Sequence, residues 1–181
     1  MKKQEPTKRA KPSAHSKSGS TLQAVVETPR GCRNKYKHNE QTGRLKLSKV
    51  LPEGMVFPYD FGFIPGTRAD DGDPLDVLVL TDEPTFPGCE IDCRVLGVIK
   101  ADQKQDGKQN RNDRLIAVAE QSLLYGSMTE LSDLDSKLLQ QIEAFFINYQ
   151  KVRGIELKVL AREGPQEAMK ILNKATPRRA A

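Results

Sequence analysis

The sequence of 181 residues contains no tryptophan and few aromatic residues of any kind. Barrel proteins that bind single-stranded nucleic acids stack the bases on exposed aromatic side chains, so this scarcity argues against such a function. The sequence also lacks any apolar run that approaches the roughly 20 residues that a membrane-spanning helix requires. We therefore predict a protein that does not span a membrane.

Cysteine is scarce as well. Cys32, Cys89 and Cys93 are an odd number in a chain in which we find no secretion signal, which favours a reducing compartment, and we predict a cytoplasmic protein. The spacing Cys89-x-x-x-Cys93 is compatible with zinc, but only Cys32 and two distant histidines remain to complete such a site. We interpret these cysteines as small core residues on a strand.

The positive charge is concentrated at the start of the chain. Residues 1–20 hold six lysines and arginines against one glutamate, which accounts for the whole net charge of +5 and leaves residues 21–181 neutral. The segment has almost no apolar residues, so we predict a disordered basic tail without the apolar core of a signal peptide. Residues 21–181 are predicted to form a single domain.

Short apolar runs separated by glycine and proline follow this tail, a pattern typical of strands. They lie at 22–27, 42–50, 76–80, 89–101 and 113–119. The segment 55–66 is rich in aromatic residues but interrupted by proline and glycine, and 102–112 is predicted to be a polar loop. The series indicates a β-barrel or a β-sandwich.

The pattern becomes helical near residue 134, where apolar residues begin to recur at helical spacing. Ser132 is the predicted N-cap and Gly154 the predicted stop. A last strand is predicted at 155–161, and a second helix at 164–175 with Pro165 in its first turn. The predicted fold is therefore mainly β (α+β): a small β-barrel with two helices from the C-terminal half packed on it.

The stretch DDGDPLDVLVL at 70–80 crowds four carboxylates immediately before a buried strand. Glycine and proline shape the turn, so that Asp71 and Asp73 can point to one side and Asp76 can join them. Magnesium prefers oxygen ligands and keeps several waters, so a few convergent carboxylates can bind it. The spacing does not match an EF-hand loop, and an acidic surface turn remains the alternative.

The motif Asp-Gly-Asp-Pro-Leu-Asp at 71–76 resembles the signature of the soluble, magnesium-dependent inorganic pyrophosphatases of the family-I type. The resemblance continues in the same order through VVETPRGCRNKY (25–36), FPYDFGFIPGT (57–67) and FFINYQ (145–150), and it covers about residues 22–165. It implies a five-stranded, OB-like closed barrel with flanking helices. It also implies hydrolysis of inorganic pyrophosphate to two phosphates, with several Mg²⁺ ions and no organic cofactor.

The same resemblance implies roles for the carboxylates. Asp73 would be the general base that holds the nucleophilic water. Asp71 and Asp76 would be metal ligands, with Asp76 bridging two ions, and Glu27 on the first strand would help to hold the metals. Bound cations of this kind neutralise substrate charge and lower the pKa of a water molecule.

Further residues are implied to bind phosphate. Lys35 and Lys49 would contact phosphate oxygens, and Tyr149 would donate a hydrogen bond. Lys49 stands where the family has arginine, which keeps the charge but loses the bidentate fork. The family places a phosphate-binding lysine ahead of an apolar strand, and Arg114 takes that position when RLIAV is fixed as the strand.

The segment before Arg114 departs most from the family pattern, because it is longer than usual. Asn112 takes the position of a metal-binding carboxylate and would weaken a Mg²⁺ site. Asp113 can replace it if the loop shifts by one residue, and Asp102 and Asp106 are candidates for a further ligand.

Other departures lie in the remaining motifs. Phe57 and Phe61 replace tyrosines, and Lys37 stands where the family usually has glutamate. Gln150 replaces a phosphate-binding lysine, for which Lys151 could substitute.

These departures motivate an alternative function, in which a degenerate homologue binds pyrophosphate, phosphate or a nucleotide with little hydrolysis. A third interpretation, a nucleic-acid-binding barrel, is the weakest, because the body of the chain is neutral and only the basic tail offers weak binding. The partner predicted by the lead interpretation is inorganic pyrophosphate. The resemblance also implies a homo-oligomer, a hexamer as in bacterial members of the family.

Overall fold

The computed structural model describes residues 21–39, 41–70 and 72–176. The predicted basic tail at 1–20 and the predicted metal ligand Asp71 lie outside the described residues. Within the described ranges, no helix is both long and apolar enough to cross a membrane.

The described chain contains strands, two helices and one short 3₁₀ turn at Leu131–Asp133. The strands are β1 Thr21–Thr28, β2 Asn34–Asn39, β3 Arg44–Val50, β4 Asp60–Phe63, β5 Asp76–Leu80, β6 Glu90–Gln105, β7 Lys108–Arg111, β8 Arg114–Ala119 and β9 Glu156–Glu163. The helices are α1 Ser136–Lys151 and α2 Pro165–Ala175. The predicted fold class, mainly β with two helices from the C-terminal half, is confirmed.

Five of the strands pair in a closed ring. The order is β1, β4, β5, β8 and β6, and β6 pairs again with β1. All of these pairings are antiparallel except that of β5 with β8. The long strand β6 also pairs with β7 and β9, while β2 and β3 form a separate hairpin. The predicted five-stranded closed arrangement is thus observed.

Strand β5 shows how the core is divided, because both of its faces are buried. Val77 and Val79 belong to one hydrophobic cluster, to which α2 contributes. Leu78 and Leu80 belong to a second cluster, to which α1 contributes. Successive residues of a strand point to opposite faces, so the run DVLVL must be apolar throughout. This double burial fixes Asp76, the first residue of β5, at the end of a rigid element.

Glycine is required where β4 approaches β1. Gly62 pairs with Val26 across the ladder, and a side chain at Gly62 would collide with the carbonyl oxygen of Val25. The aromatic segment, which proline and glycine interrupt, thus contains the short strand β4. This strand places Phe63 beside His38 and Phe61 beside Lys35 of β2.

The polar segment 102–112 was predicted to be a loop, and this prediction is wrong. Strand β6 continues to Gln105, and β7 folds back on it after a tight turn at Asp106 and Gly107. Both turn residues have positive φ, 51° and 78°, the conformation that an Asp-Gly hairpin turn requires. The Asp-Gly turn thus makes this segment a hairpin despite its polar composition.

Helix α1 begins later than predicted. Its N-cap is Asp135, whose carboxylate accepts hydrogen bonds from the backbone amides of Lys137 and Leu138 at 2.7 and 3.2 Å, whereas Ser132 lies in the preceding 3₁₀ turn. The carboxylate also suits the positive end of the helix dipole. Gly154 follows the helix with a φ of 73°, as its prediction as a stop requires, and α2 begins at Pro165 as predicted.

Candidate active site

A cavity of about 360 Å³ opens where the hairpin of β2 and β3, the turn before β5, the hairpin of β6 and β7, and the end of α1 converge. Nine of the ten predicted site residues line this cavity, and the tenth, Asp71, lies outside the described residues. The nine are Glu27, Lys35, Lys49, Asp73, Asp76, Asn112, Asp113, Arg114 and Tyr149. They come from six separate segments of the chain, so only the tertiary fold brings them together.

Asp76 and Arg114 meet through the parallel pairing of β5 with β8. The two residues are directly opposed in the register, and the Nε atom of Arg114 lies 4.0 Å from the Asp76 carboxylate. Both stand at the first position of their strands, where the ladder begins. The pairing therefore fixes one positive and one negative group at the same edge of the cavity.

Asp73 lies on the turn that precedes β5 and is more exposed than Asp76. Its Oδ2 atom accepts a hydrogen bond from the Nζ atom of Lys37 at 2.7 Å. The backbone of the turn is held by a hydrogen bond from the amide of Ala69 to the Asp73 carbonyl at 2.8 Å. Asp73 thus presents a carboxylate within reach of solvent.

Glu27 is a buried carboxylate at the floor of the cavity. Its Oε1 atom accepts a hydrogen bond from the backbone amide of His38 at 2.6 Å, which ties β1 to β2. Burial raises the pKa of Glu27, and the nearby negative charge of Asp76 raises it further. A cation beside these two carboxylates would offset that unfavourable charge.

Lys35 is surrounded by aromatic rings. Its Nζ atom lies 4.4 Å from the centre of the Phe61 ring, 5.8 Å from that of Phe57 and 5.9 Å from that of Tyr149. Burial lowers the pKa of Lys35, against the attraction of Asp76 and Glu27. The phenylalanines that depart from the family pattern therefore form an apolar cage that holds the lysine in place.

Lys49 lies opposite Lys35 in the hairpin of β2 and β3. Partial burial, followed by the positive charges of Arg153, Lys35 and Lys37, lowers the pKa of Lys49. Positive groups that repel one another are stabilised by an anion placed among them. The hairpin therefore presents a site suited to a multiply charged anion.

Arg114 and Tyr149 are buried groups that each leave one polar atom without a hydrogen bond of normal geometry among the described residues. The Arg114 guanidinium stacks 4.5 Å from the centre of the Phe146 ring and donates from Nη1 to the Asn112 carbonyl at 3.2 Å. Among the described residues, neither its Nε atom nor the Tyr149 hydroxyl has a hydrogen-bond partner of normal geometry. Buried polar atoms are nearly always paired, so both atoms are suited to a ligand.

The residues before Arg114 are placed by the unexpected hairpin. The Asn112 side chain donates to the Oε1 atom of Gln103 at 2.8 Å, and Asp113 accepts from the amide of Ala101 at 3.1 Å. Asp113 also lies 2.6 Å from Arg111. Asn112 and Asp113 both remain at the cavity wall.

The two further candidate ligands of the sequence analysis do not line the cavity. Asp102 pairs with Gln109 and Arg111 across the β6–β7 hairpin, at 2.8 and 3.4 Å, and Asp106 lies in the turn at its tip. The Asp102 carboxylate therefore stabilises the hairpin, of which Asp106 is a turn residue.

Arg153 is a cavity residue that the sequence analysis missed. It lies just beyond α1, with its guanidinium 5.3 Å from the centre of the Tyr149 ring. It donates to the Oε1 atom of buried Gln150 at 2.6 Å, while Lys151, the substitute considered from the sequence, is exposed and does not line the cavity. The only sequence signal was a basic residue one turn after Tyr149.

The carboxylates of this cavity fit a particular kind of magnesium site. Within the described ranges, no three histidine, cysteine, aspartate or glutamate side chains converge closely enough to enclose a metal ion. Glu27, Asp73 and Asp76 nevertheless share one cavity with a basic wall. Magnesium is usually held by one or two carboxylates together with water and substrate phosphates, and this arrangement offers those ligands.

The chain is similar to known proteins along most of its length. A family model described as inorganic pyrophosphatase matches residues 24–179. The inorganic pyrophosphatase of Methanosarcina acetivorans is 38% identical over 154 residues, which covers 85% of this chain and 89% of that protein. That of Halalkalibacterium halodurans is 38% identical over 157 residues, with coverages of 87% and 94%.

The fold is similar to solved structures as well. The crystal structure of inorganic pyrophosphatase from Thermus thermophilus matches with a TM-score of 0.84 at 30% identity, and the match covers 92% of this chain and 95% of that one. A structure of inorganic pyrophosphatase from Neisseria gonorrhoeae matches with a TM-score of 0.81 at 31% identity, with coverages of 90% and 93%. Both matches thus extend over nine-tenths or more of this chain.

Proposed function

This chain belongs to the inorganic pyrophosphatase family and hydrolyses inorganic pyrophosphate to two phosphates, and we propose that it does so in the cavity described above, with Mg²⁺ as the metal. The observation that carries this assignment is the convergence of nine implied site residues on one cavity. No organic cofactor enters the proposed reaction.

The basic side of the cavity would bind the substrate. Pyrophosphate carries several negative charges, which repel an attacking water until they are neutralised. Lys35, Lys49, Arg114 and Arg153 offer positive charge, and the unpaired hydroxyl of Tyr149 offers a hydrogen bond. Groups that are already oriented before substrate arrives stabilise charge without further reorganisation.

The carboxylate side would activate water. Asp73 would accept a proton from the water whose oxygen forms a bond to one phosphorus atom, while the bond from that phosphorus to the bridging oxygen breaks and the second phosphate leaves. Glu27 and Asp76, together with Asp71, would hold Mg²⁺. Asn112 or Asp113 would add an oxygen ligand. The metal, when bound, would neutralise phosphate charge and lower the pKa of water.

The direct test is phosphate release by the purified chain after metal removal with EDTA and titration with Mg²⁺. We expect no phosphate release without the metal. For half-maximal release, Asp76→Asn should require a Mg²⁺ concentration at least about tenfold higher than the parent requires. Asp106→Asn, at the hairpin tip, is the matched control, because Asp106 does not line the cavity, and it should behave as the parent. Undiminished release in EDTA, or equal metal requirements for Asp76→Asn and the control, would contradict the assignment.

We further propose a cytoplasmic homo-oligomer, a hexamer. The location is supported by three cysteines without disulfides and the assembly by the family resemblance alone. Light scattering after gel filtration would measure the subunit number. Nothing in the comparisons favours the degenerate, non-hydrolysing alternative.

A further inference from the structure

Lys37 is a cation within the carboxylate side of the cavity. It lies on β2, two residues after Lys35, and both lysines line the cavity. Its ammonium group contacts the Asp73 carboxylate at 2.7 Å, although 51% of the Lys37 side chain and 57% of the Asp73 side chain are exposed. The proposed general base therefore has a positive group beside it before any substrate binds.

The ion pair between Lys37 and Asp73 can open and re-form without disturbing the fold. Exposed ion pairs contribute little to stability because water competes for both groups. The lysine side chain is long and flexible, so its ammonium can reach different partners from one backbone position. Lys37 can therefore leave Asp73 at little cost to the fold.

The surroundings of Lys37 favour an anion with more charge than a single carboxylate. Lys35, Lys49 and Arg153 line the same cavity. The positive charge of Lys37 is among the causes that lower the pKa of Lys49, after burial and the charges of Arg153 and Lys35. Pyrophosphate would bring several negative charges into this group, whereas Asp73 brings one. A bound substrate thus offers Lys37 a more highly charged partner than the Asp73 carboxylate.

We propose that Lys37 exchanges partners during the reaction: its ammonium holds Asp73 in the empty cavity and turns to the phosphate oxygens when pyrophosphate binds. Without substrate, the Lys37 ammonium pairs with the Asp73 carboxylate and repels Mg²⁺. It therefore opposes the binding of the metal alone. In the complex it adds to the attraction for substrate. Lys37 therefore favours entry of Mg²⁺ together with pyrophosphate over entry of Mg²⁺ alone, an inference that rests on the proposed function of this cavity.

Two titrations of the full chain by isothermal calorimetry test the exchange. In the first, Mg²⁺ alone is titrated into metal-free protein. We expect about three- to tenfold tighter binding in Lys37→Gln than in the parent, and tighter binding still in Lys37→Glu, which adds a carboxylate. In the second, imidodiphosphate is titrated in EDTA, and its binding should weaken about three- to tenfold in Lys37→Gln.

Lys137→Gln is the matched control, since Lys137 is exposed at the opposite end of α1 from the cavity. It removes the same charge and should change neither affinity. Equal Mg²⁺ affinities in the parent and Lys37→Gln would overturn the proposal, and so would unchanged imidodiphosphate binding. Circular dichroism verifies that each variant is folded.

Failure of this inference is distinguishable from failure of the proposed function. If the parent releases phosphate with Mg²⁺ but the titrations show no effect of Lys37→Gln, only the exchange is wrong. If the parent releases no phosphate at any Mg²⁺ concentration, the proposed function itself is wrong.

Discussion

The two sides of the cavity are built differently. On the phosphate side, which consists of Lys35, Arg114 and Tyr149, the side chains pack against aromatic rings, and Arg114 is only 3% exposed. On the carboxylate side, Asp73 stands on a turn and is largely open to water. The proposed substrate-binding groups are therefore oriented by the fold, whereas the proposed water-activating group keeps access to solvent and cations.

Arg114→Met should have the largest effect of the substitutions on the phosphate side. It removes a buried charge that is held between Asp76 and the Phe146 ring. We expect kcat/KM for pyrophosphate to fall by about 100- to 1,000-fold, as for the loss of a fixed donor to developing charge. Arg114→Lys keeps the charge and should lose less. A loss below fivefold in Arg114→Met would show that this side of the cavity does not bind substrate.

Lys35→Met should separate binding from stability. Burial lowers the pKa of Lys35, which means that the charged form is less favourable in the folded state than in the unfolded one. Removing the charge should therefore leave Tm unchanged or higher, while KM for pyrophosphate rises by about tenfold or more. The control Lys46→Met lies on β3, does not line the cavity, and should alter neither value. A clear fall in Tm of Lys35→Met would contradict this account of the lysine.

Tyr149→Phe should have the smallest effect. It removes a buried hydroxyl that has no hydrogen-bond partner of normal geometry among the described residues, so we expect little loss of Tm. The lost hydrogen bond to a charged phosphate should reduce kcat/KM by about tenfold. Tyr36→Phe, outside the cavity, is the control. Equal kcat/KM values for the two variants would mean that the hydroxyl does not face the substrate.

Much of the carboxylate side was predictable from the sequence, because it lies in one local motif. The turn at 70–76 runs directly into an apolar strand, and the burial of β5 on both faces fixes the position of Asp76. The phosphate side required the family resemblance, since Lys35, Arg114 and Tyr149 are distant in sequence. Their aromatic surroundings follow only from the packing of α1 against the ring of strands.

The remaining features depended on contacts that no local pattern specifies. Arg153 enters the cavity because α1 ends at Lys151 and the chain turns back, a geometry that helical periodicity does not give. The contact of Lys37 with Asp73 joins residues 36 positions apart. The hairpin of β6 and β7 was a different case, because its Asp-Gly turn was present in the sequence and was outweighed in our prediction by the polar composition.

The most direct test of the account compares Asp73→Ala with Asp70→Ala in a steady-state assay of phosphate release at saturating Mg²⁺. Asp70 belongs to the same acidic turn but pairs with Lys174 at 3.4 Å and does not line the cavity. We expect kcat to fall by about 100- to 10,000-fold in Asp73→Ala and to change less than about twofold in Asp70→Ala. Full turnover in Asp73→Ala, or equal losses in both folded variants, would contradict the claim that Asp73 activates water in this cavity.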